Sequence, residues 1–275
     1  MIEKMSLVAN ARMYAVTPAV AAAWRALFDR VARDSGVPLT YIDHAAPAPL
    51  EALWARDDLG AAFMCGYPFA SAASKPRLLA APVPAPARYG GRPQYCTDFI
   101  VRADSQFTQL QETFGGRIGW TVAHSQSGYN AVRHHLLRHE RPQPLYRNWV
   151  GPLVTPRGVI AAVLADGIDV GPLDSYVHDL LKQHDPATAS RLRVIESTAM
   201  TPIPPLIASP IVDDATVTRL RGSLLSCADA PEMRATLDAL LIARFAEIDA
   251  AAYDIFPRWA RAADAGGVPA PRGIT

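Results

Sequence analysis

The chain lacks an excess of charge of either sign: 27 lysines and arginines stand against 26 aspartates and glutamates, a formal net charge of +1. So even a balance sets up no field to draw a polyanion, and no nucleic-acid partner is expected. Long apolar runs are missing too. No stretch approaches the roughly 18 consecutive apolar residues of a membrane span, and no membrane insertion is expected. The opening text "MIEKMSLVANARMYAV" has no basic start, apolar run or small-residue cleavage site. As written, the chain reads either as a cytoplasmic protein or as an exported one whose signal is removed. Cysteine is scarce: Cys65, Cys96 and Cys227 are widely spaced and odd in number, which suggests neither a zinc motif nor a dense disulfide framework. They suit small buried hydrophobes, and Cys65 and Cys96 are left open as a pair should the chain be exported.

Catalytic signatures are absent as well. No Walker A sequence and no G-x-G-x-x-G dinucleotide fingerprint occurs, and neither Ser125 nor Ser127 has the flanking glycines of a nucleophile elbow. No catalytic residue, cofactor or metal is therefore expected. His135 and His139 are spaced to share a helix face, with His134 beside them. The text between lacks a glutamate and no third ligand is identifiable. They are read as part of a solvated basic face with Arg133, Arg138 and Arg141.

What is present is a globular balance, 50% hydrophobic and 19% charged, and short β-like runs alternating with helical periods, the mark of α/β architecture. The first series runs through strand "SLVANARMY", a helix opened by Thr17-Pro18, strand "PLTYID", helix "APLEALWAR" and strand "LGAAFMCGYP". "PRLLAAPVPAPARYGGRP" reads as an edge strand and a turn, and "QYCTDFIVRADS" as a strand. A second series starts near Phe107 with helix "FTQLQETF", strand "RIGWTVA", a hydroxyl-rich loop and its helix. It continues with strand "YRNWVGPLV", helix "PRGVIAAVLAD", strand "IDVGPL", helix "SYVHDLLKQH" and strand "RLRVIES", and the strand "PIPPLIAS" follows it. The last third holds too few strands for a domain of its own. The expected organisation is two α/β lobes, residues 1–103 with 201–275 and residues 104–200, the second inserted into the first. Two chain crossings between lobes suit a cleft that hinges around a small ligand.

Three helix starts in the second lobe share one design. Ser125 or Ser127 precedes the helix through His139, Thr155 precedes Pro156, and Asp174-Ser175 opens "YVHDLL". Each follows a strand, so in a parallel sheet the three N-termini line one edge, where unpaired N–H groups favour an anion. Taken alone, each reads first as an ordinary structural cap, and only the Ser-rich loop is read as a binding loop. The hydroxyl cluster of "SQSGY" exceeds what one cap needs. Tyr14, Tyr67, Tyr95 and Tyr129 form a second constellation near the strand ends, read either as core aromatics or as flat faces closing on a small organic ligand.

Two stretches, "FGGRIGWTVAHSQSGYNAVRHHLL" and "VTPRGVIAAVLADGIDVGPLDSYVHDLL", together with "FAEIDAAAYDIF" near the end, resemble the substrate-binding proteins of phosphonate-type ABC transporters. That family has the two-lobed type 2 periplasmic-binding fold. The resemblance implies a non-enzymatic solute-binding protein that closes on a small anionic or polar metabolite, with an ABC permease as partner and a periplasmic location. It places Ser125, Ser127 and Gly128 on the anion, with Thr155 and Asp174 across the pocket. Tyr14, Tyr67 and Tyr95 fall on the first-lobe side by their strand-end positions, and Gln126, Tyr129 and Ser175 join the candidate site as neighbours of the loop and cap residues. A cytoplasmic enzyme or ligand sensor on the same fold is the alternative.

Overall fold

The computed structural model describes residues 6–139 and 144–269. In chain order the elements are β1 (Leu7–Asn10), α1 (Pro18–Ser35), β2 (Leu39–Tyr41), α2 (Leu50–Trp54), β3 (Leu59–Phe63), α3 (Gly66–Ser71) and β4 (Arg77–Pro84). Then come β5 (Gln94–Tyr95), β6 (Thr97–Arg102), β7 (Arg117–Gly119), a π-helical turn (Gln126–Asn130) running into α4 (Ala131–Leu136), β8 (Asn148–Val150) and α5 (Pro156–Leu164). The remainder comprises β9 (Gly171–Asp174), α6 (Ser175–His184), α7 (Pro186–Ala189), β10 (Leu192–Ser197), β11 (Thr201–Pro202), β12 (Leu206–Ala208), α8 (Asp214–Ser226), α9 (Arg234–Ala239), β13 (Ile242–Ala246) and α10 (Ile255–Ala265).

The chain forms two compact units. One takes in the residues up to Gln94 together with Pro202–Ala252, the other Tyr95–Thr201 and the residues from Tyr253 on. The first is built on a six-stranded sheet in the order β13-β4-β12-β3-β1-β2, with β2, β1 and β3 mutually parallel. Helix α1 packs its buried face, with Trp24, Leu27, Phe28 and Val31, into this core. It begins at Thr17, whose hydroxyl accepts from Val20 N, and stops at Gly36, which takes the left-handed conformation (φ 61°) that a side chain would strain.

The sheet holds a difference from the sequence expectation. β4 is not an edge strand along its whole length. Its proline-free half, residues 77–80, pairs with β12, and its other half, with Pro82 and Pro84, pairs with β13. Each proline lacks the N–H that a ladder needs. The two halves are served by different neighbours, so the edge rule holds locally while the strand lies inside the sheet.

In the second unit β6 lies between β10 and β9, antiparallel to both. β7 and β8 run parallel, and a parallel bridge from Ile118 to Val170 ties β7 to the residue just before β9. A core of Phe99, Val101, Leu110, Ile118, Val132, Leu136, Leu145, Tyr146, Val170 and Val268 lies beneath. Asp169 fastens the start of β7, accepting from the Arg117 backbone N–H and guanidinium, both at 2.7 Å. These bonds hold its carboxyl below the ordinary carboxylate range.

Two segments fall on the other side of the division from the expected boundaries. Residues 97–102 belong to the second unit because both hydrogen-bonding neighbours of β6 do. α10 belongs there too, packed against α4, with Arg133 donating to the Pro269 and Val268 carbonyls. The expected helix "FTQLQETF" shrinks to a 3-10 turn over Leu110–Thr113, capped reciprocally by Gln109 and Glu112.

Candidate functional site

The three helix starts singled out in the sequence all follow strands of one parallel set. β7 leads through Trp120 and Thr121 to Ser125, β8 leads to Thr155, and β9 ends at Asp174. Parallel strands put their carboxyl ends on one side, which is where ligands of open α/β sheets sit. At each start the expected residue is the cap: Ser125 Oγ accepts from Gly128 N at 2.9 Å, Thr155 Oγ1 from Gly158 N at 3.1 Å, and Asp174 Oδ1 from Tyr176 N at 2.8 Å and Val177 N at 3.1 Å. Ser175 has another task. Its hydroxyl accepts from Cys96 N at 3.0 Å and so ties α6 to β6.

The loop from Ser125 opens as a π-turn, a rare form frequently found at functional sites. Its geometry depends on Gly128. Thr121 N donates to the Gly128 carbonyl at 3.2 Å, and the Thr121 side chain lies directly over the Gly128 Cα. Thr97 Oγ1 holds the Ser127 carbonyl at 2.9 Å. That leaves the Ser127 hydroxyl with no hydrogen-bond partner among the described residues. The first N–H groups of the turn have no acceptor one turn back, as at any helix start. Gln126 is fully buried. Its Oε1 accepts from Asn130 Nδ2 at 2.7 Å, while its Nε2 has no partner among the described residues.

Sequence reasoning missed four residues around this turn. Trp120 Nε1, Thr121 Oγ1 and Asn130 Oδ1 are buried polar atoms without a hydrogen-bond partner among the described residues, a rare state that calls for an explanation. Trp120 packs against Tyr129 at 5.5 Å between ring centroids, and its indole lies close over Gly151. The fourth is Val154, exposed and in the left-handed region (φ 63°) immediately before the Thr155 cap. A β-branched residue is disfavoured there, and such backbone strain clusters at binding sites. None of these has a linear signal; each shows only once the loop's neighbours are in place.

The tyrosines separate. Tyr129 belongs to the π-turn and lies under the Arg133 guanidinium at 5.3 Å. Tyr95 is buried in β5 of the second unit, and Tyr67 is half-buried in the first turn of α3, just past the end of β3. Tyr14 is a core aromatic of the first unit. It is 1% exposed, edge-on to Phe63 at 4.8 Å, and its carbonyl accepts from the Trp24 indole.

The solvated basic face expected on α4 is not there. Arg133 is buried, paired with Asp264 and bonded to carbonyls near the chain's end. His135 is buried against Phe99, at 5.1 Å between centroids, and its Nε2 donates to Glu196 Oε1 at 2.6 Å. Burial pulls its pKa below the ordinary histidine value. His134 stacks on Trp259 at 4.1 Å. The C-terminal segment covers this face, and nothing in the periodicity of residues 131–139 announces it. Arg141 lies outside the described residues. No disulfide joins Cys65 to Cys96; both are buried, as is Cys227.

Two α/β units with capped helices springing from the carboxyl ends of parallel strands define the type 2 periplasmic-binding-protein fold. Solved structures show the same fold. PhnD1 from Prochlorococcus marinus, in complex with methylphosphonate, matches with a TM-score of 0.78 at 15% identity, over 95% of this chain and 99% of that one. A binding protein component of an ABC phosphonate transporter from Pseudomonas aeruginosa matches at 0.76 and 16% identity, over 95% and 88%. A Xanthomonas citri protein bound to ATP matches at 0.63 and 20%, over 95% and 98%. Residues 15–253 match the family model described as ABC transporter, phosphonate, periplasmic substrate-binding protein, and the chain belongs to that family of non-enzymatic solute-binding proteins. No curated protein matches it.

Proposed function

We propose that this substrate-binding protein takes a small phosphonate or phosphate ester, held at the π-turn by the Ser125 and Ser127 hydroxyls and the N–H groups of residues 126 and 127. Thr155, Tyr129 and Asp174 complete the second unit's share of the site. The observation that carries the reading is the Ser127 hydroxyl, fixed by the Thr97 bond to its own carbonyl yet left without a partner among the described residues, at a helix start. Residues 120–130 include no lysine or arginine, and the buried Arg133 is paired with Asp264. Recognition then rests on oriented dipoles rather than on ion pairs. Asp174, a carboxylate at the neighbouring helix start, disfavours a second full negative charge nearby. It suits a head group that brings an O–H or an amine to meet it. An ABC permease is the matching partner.

A thermal-shift panel tests the class. Methylphosphonate, 2-aminoethylphosphonate, phosphate, sulfate, ATP and small dicarboxylates are compared at equal concentration. Phosphonates are expected to raise Tm by several degrees when present well above Kd. Stabilisation by dicarboxylates alone, or by ATP alone, would replace this reading.

A further inference from the structure

At the carboxyl end of α4, beyond the π-turn, two imidazoles and a carboxylate converge. One ligand atom each from His135, His139 and Glu196 lies within 4.8 Å of the others. His135 lies in the last turn of α4 and His139 three residues past its end, and Glu196 comes from β10, 61 residues along the chain from His135. That distance explains why the sequence offers no third ligand. From this convergence we infer that His135, His139 and Glu196 form a site for one divalent late first-row cation, of the zinc, nickel or cobalt class.

The ligand set fits that class: two nitrogens and one carboxylate oxygen, with a position left for water, suit borderline metals better than calcium or magnesium, which want oxygens. Both rings are already held. His135 packs on Phe99, and His139 stands edge-on to Phe114 at 4.9 Å. His135 and Glu196 have side chains only 5% and 16% exposed. The carboxylate of Glu196 also pairs with the Arg138 guanidinium, whose own side chain is 55% exposed and free to swing into water. A cation would take over from that guanidinium, and the proton on the His135–Glu196 bond would be lost or moved to the other ring nitrogen. The end of a helix, with its outward carbonyls, is the favourable end for a positive charge.

The competition with Arg138 gives the test its sign. The full untagged chain, freed of metal by chelator dialysis, is titrated with Zn2+ by calorimetry and with Co2+ by visible absorption. Expected is one saturable equivalent, weakened about 10-fold or more by His139→Ala and by the isosteric Glu196→Gln, and tightened by Arg138→Ala. Circular dichroism confirms that each variant is folded. Absence of saturable binding, binding unchanged in both ligand variants, or weaker binding in Arg138→Ala overturns the site. None of these outcomes depends on which solute the π-turn holds.

Discussion

Gly128→Ala is expected to destabilise the protein by about 2–3 kcal/mol and to abolish ligand-induced stabilisation. A methyl group at this position would overlap the Thr121 hydroxyl and stand 2.7 Å from its Cγ2 and 2.9 Å from its Cβ. Rotation about the Thr121 side chain cannot clear the last of these, and the backbone bond from Thr121 N to the Gly128 carbonyl holds the two segments together. The turn must therefore open, and the N–H groups of residues 126 and 127 lose their common direction. Removing the Thr121 side chain beyond Cβ in a Thr121→Ala, Gly128→Ala double variant is expected to restore roughly half of the lost stability, a coupling of contacting residues read from urea midpoints. Additive losses in the double variant would show that the overlap is not the cause.

Asp98→Ala is expected to cost about 3–5 kcal/mol. Asp98 is wholly buried, the second residue of β6. Its Oδ2 meets His178 Nδ1 at 3.0 Å, and its Oδ1 accepts from Ser197 Oγ at 2.7 Å. Through His178 it anchors α6, the helix that Asp174 caps, and through Ser197 it anchors the end of β10. Truncation leaves the buried His178 imidazole without its acceptor. Asp98→Asn keeps the shape and an acceptor oxygen, so a smaller loss, about 1–3 kcal/mol, is expected. Chemical denaturation of the three proteins gives the ordering; equal stability of Asp98→Ala and wild type would remove Asp98 from the support of the α6 start.

The parts of the fold that were legible in the sequence are those governed by local chemistry. Ser125, Thr155 and Asp174 cap where their residue types and the following proline or glycine imply, because a cap is decided within four residues. The strands before them are likewise readable from short apolar runs. What could not be read depends on partners far along the chain. β6 joins the second unit because β9 and β10 lie beside it, and Arg133 and His135 are buried because α10 and β10 cover them. Tyr14 and Tyr67 carry the same residue type at similar strand-end positions, yet one is sealed in a core and the other half-open. The orphaned polar atoms of Trp120, Thr121 and Gln126 arise only from how the β7 end, the 151–154 segment and the π-turn meet.

Ser127 carries the functional reading, since its hydroxyl has no hydrogen-bond partner among the described residues to lose. The decisive measurement is calorimetric titration of methylphosphonate into wild type and Ser127→Ala, with unfolding midpoints measured in parallel. Expected is one site in the wild type, at least about 10-fold weaker binding in the variant, from loss of a hydrogen bond to a charged group, and a stability change within about 0.5 kcal/mol. Equal affinity in the two proteins would contradict the assignment of the π-turn as the anion site. So would a loss of binding that merely follows a loss of stability.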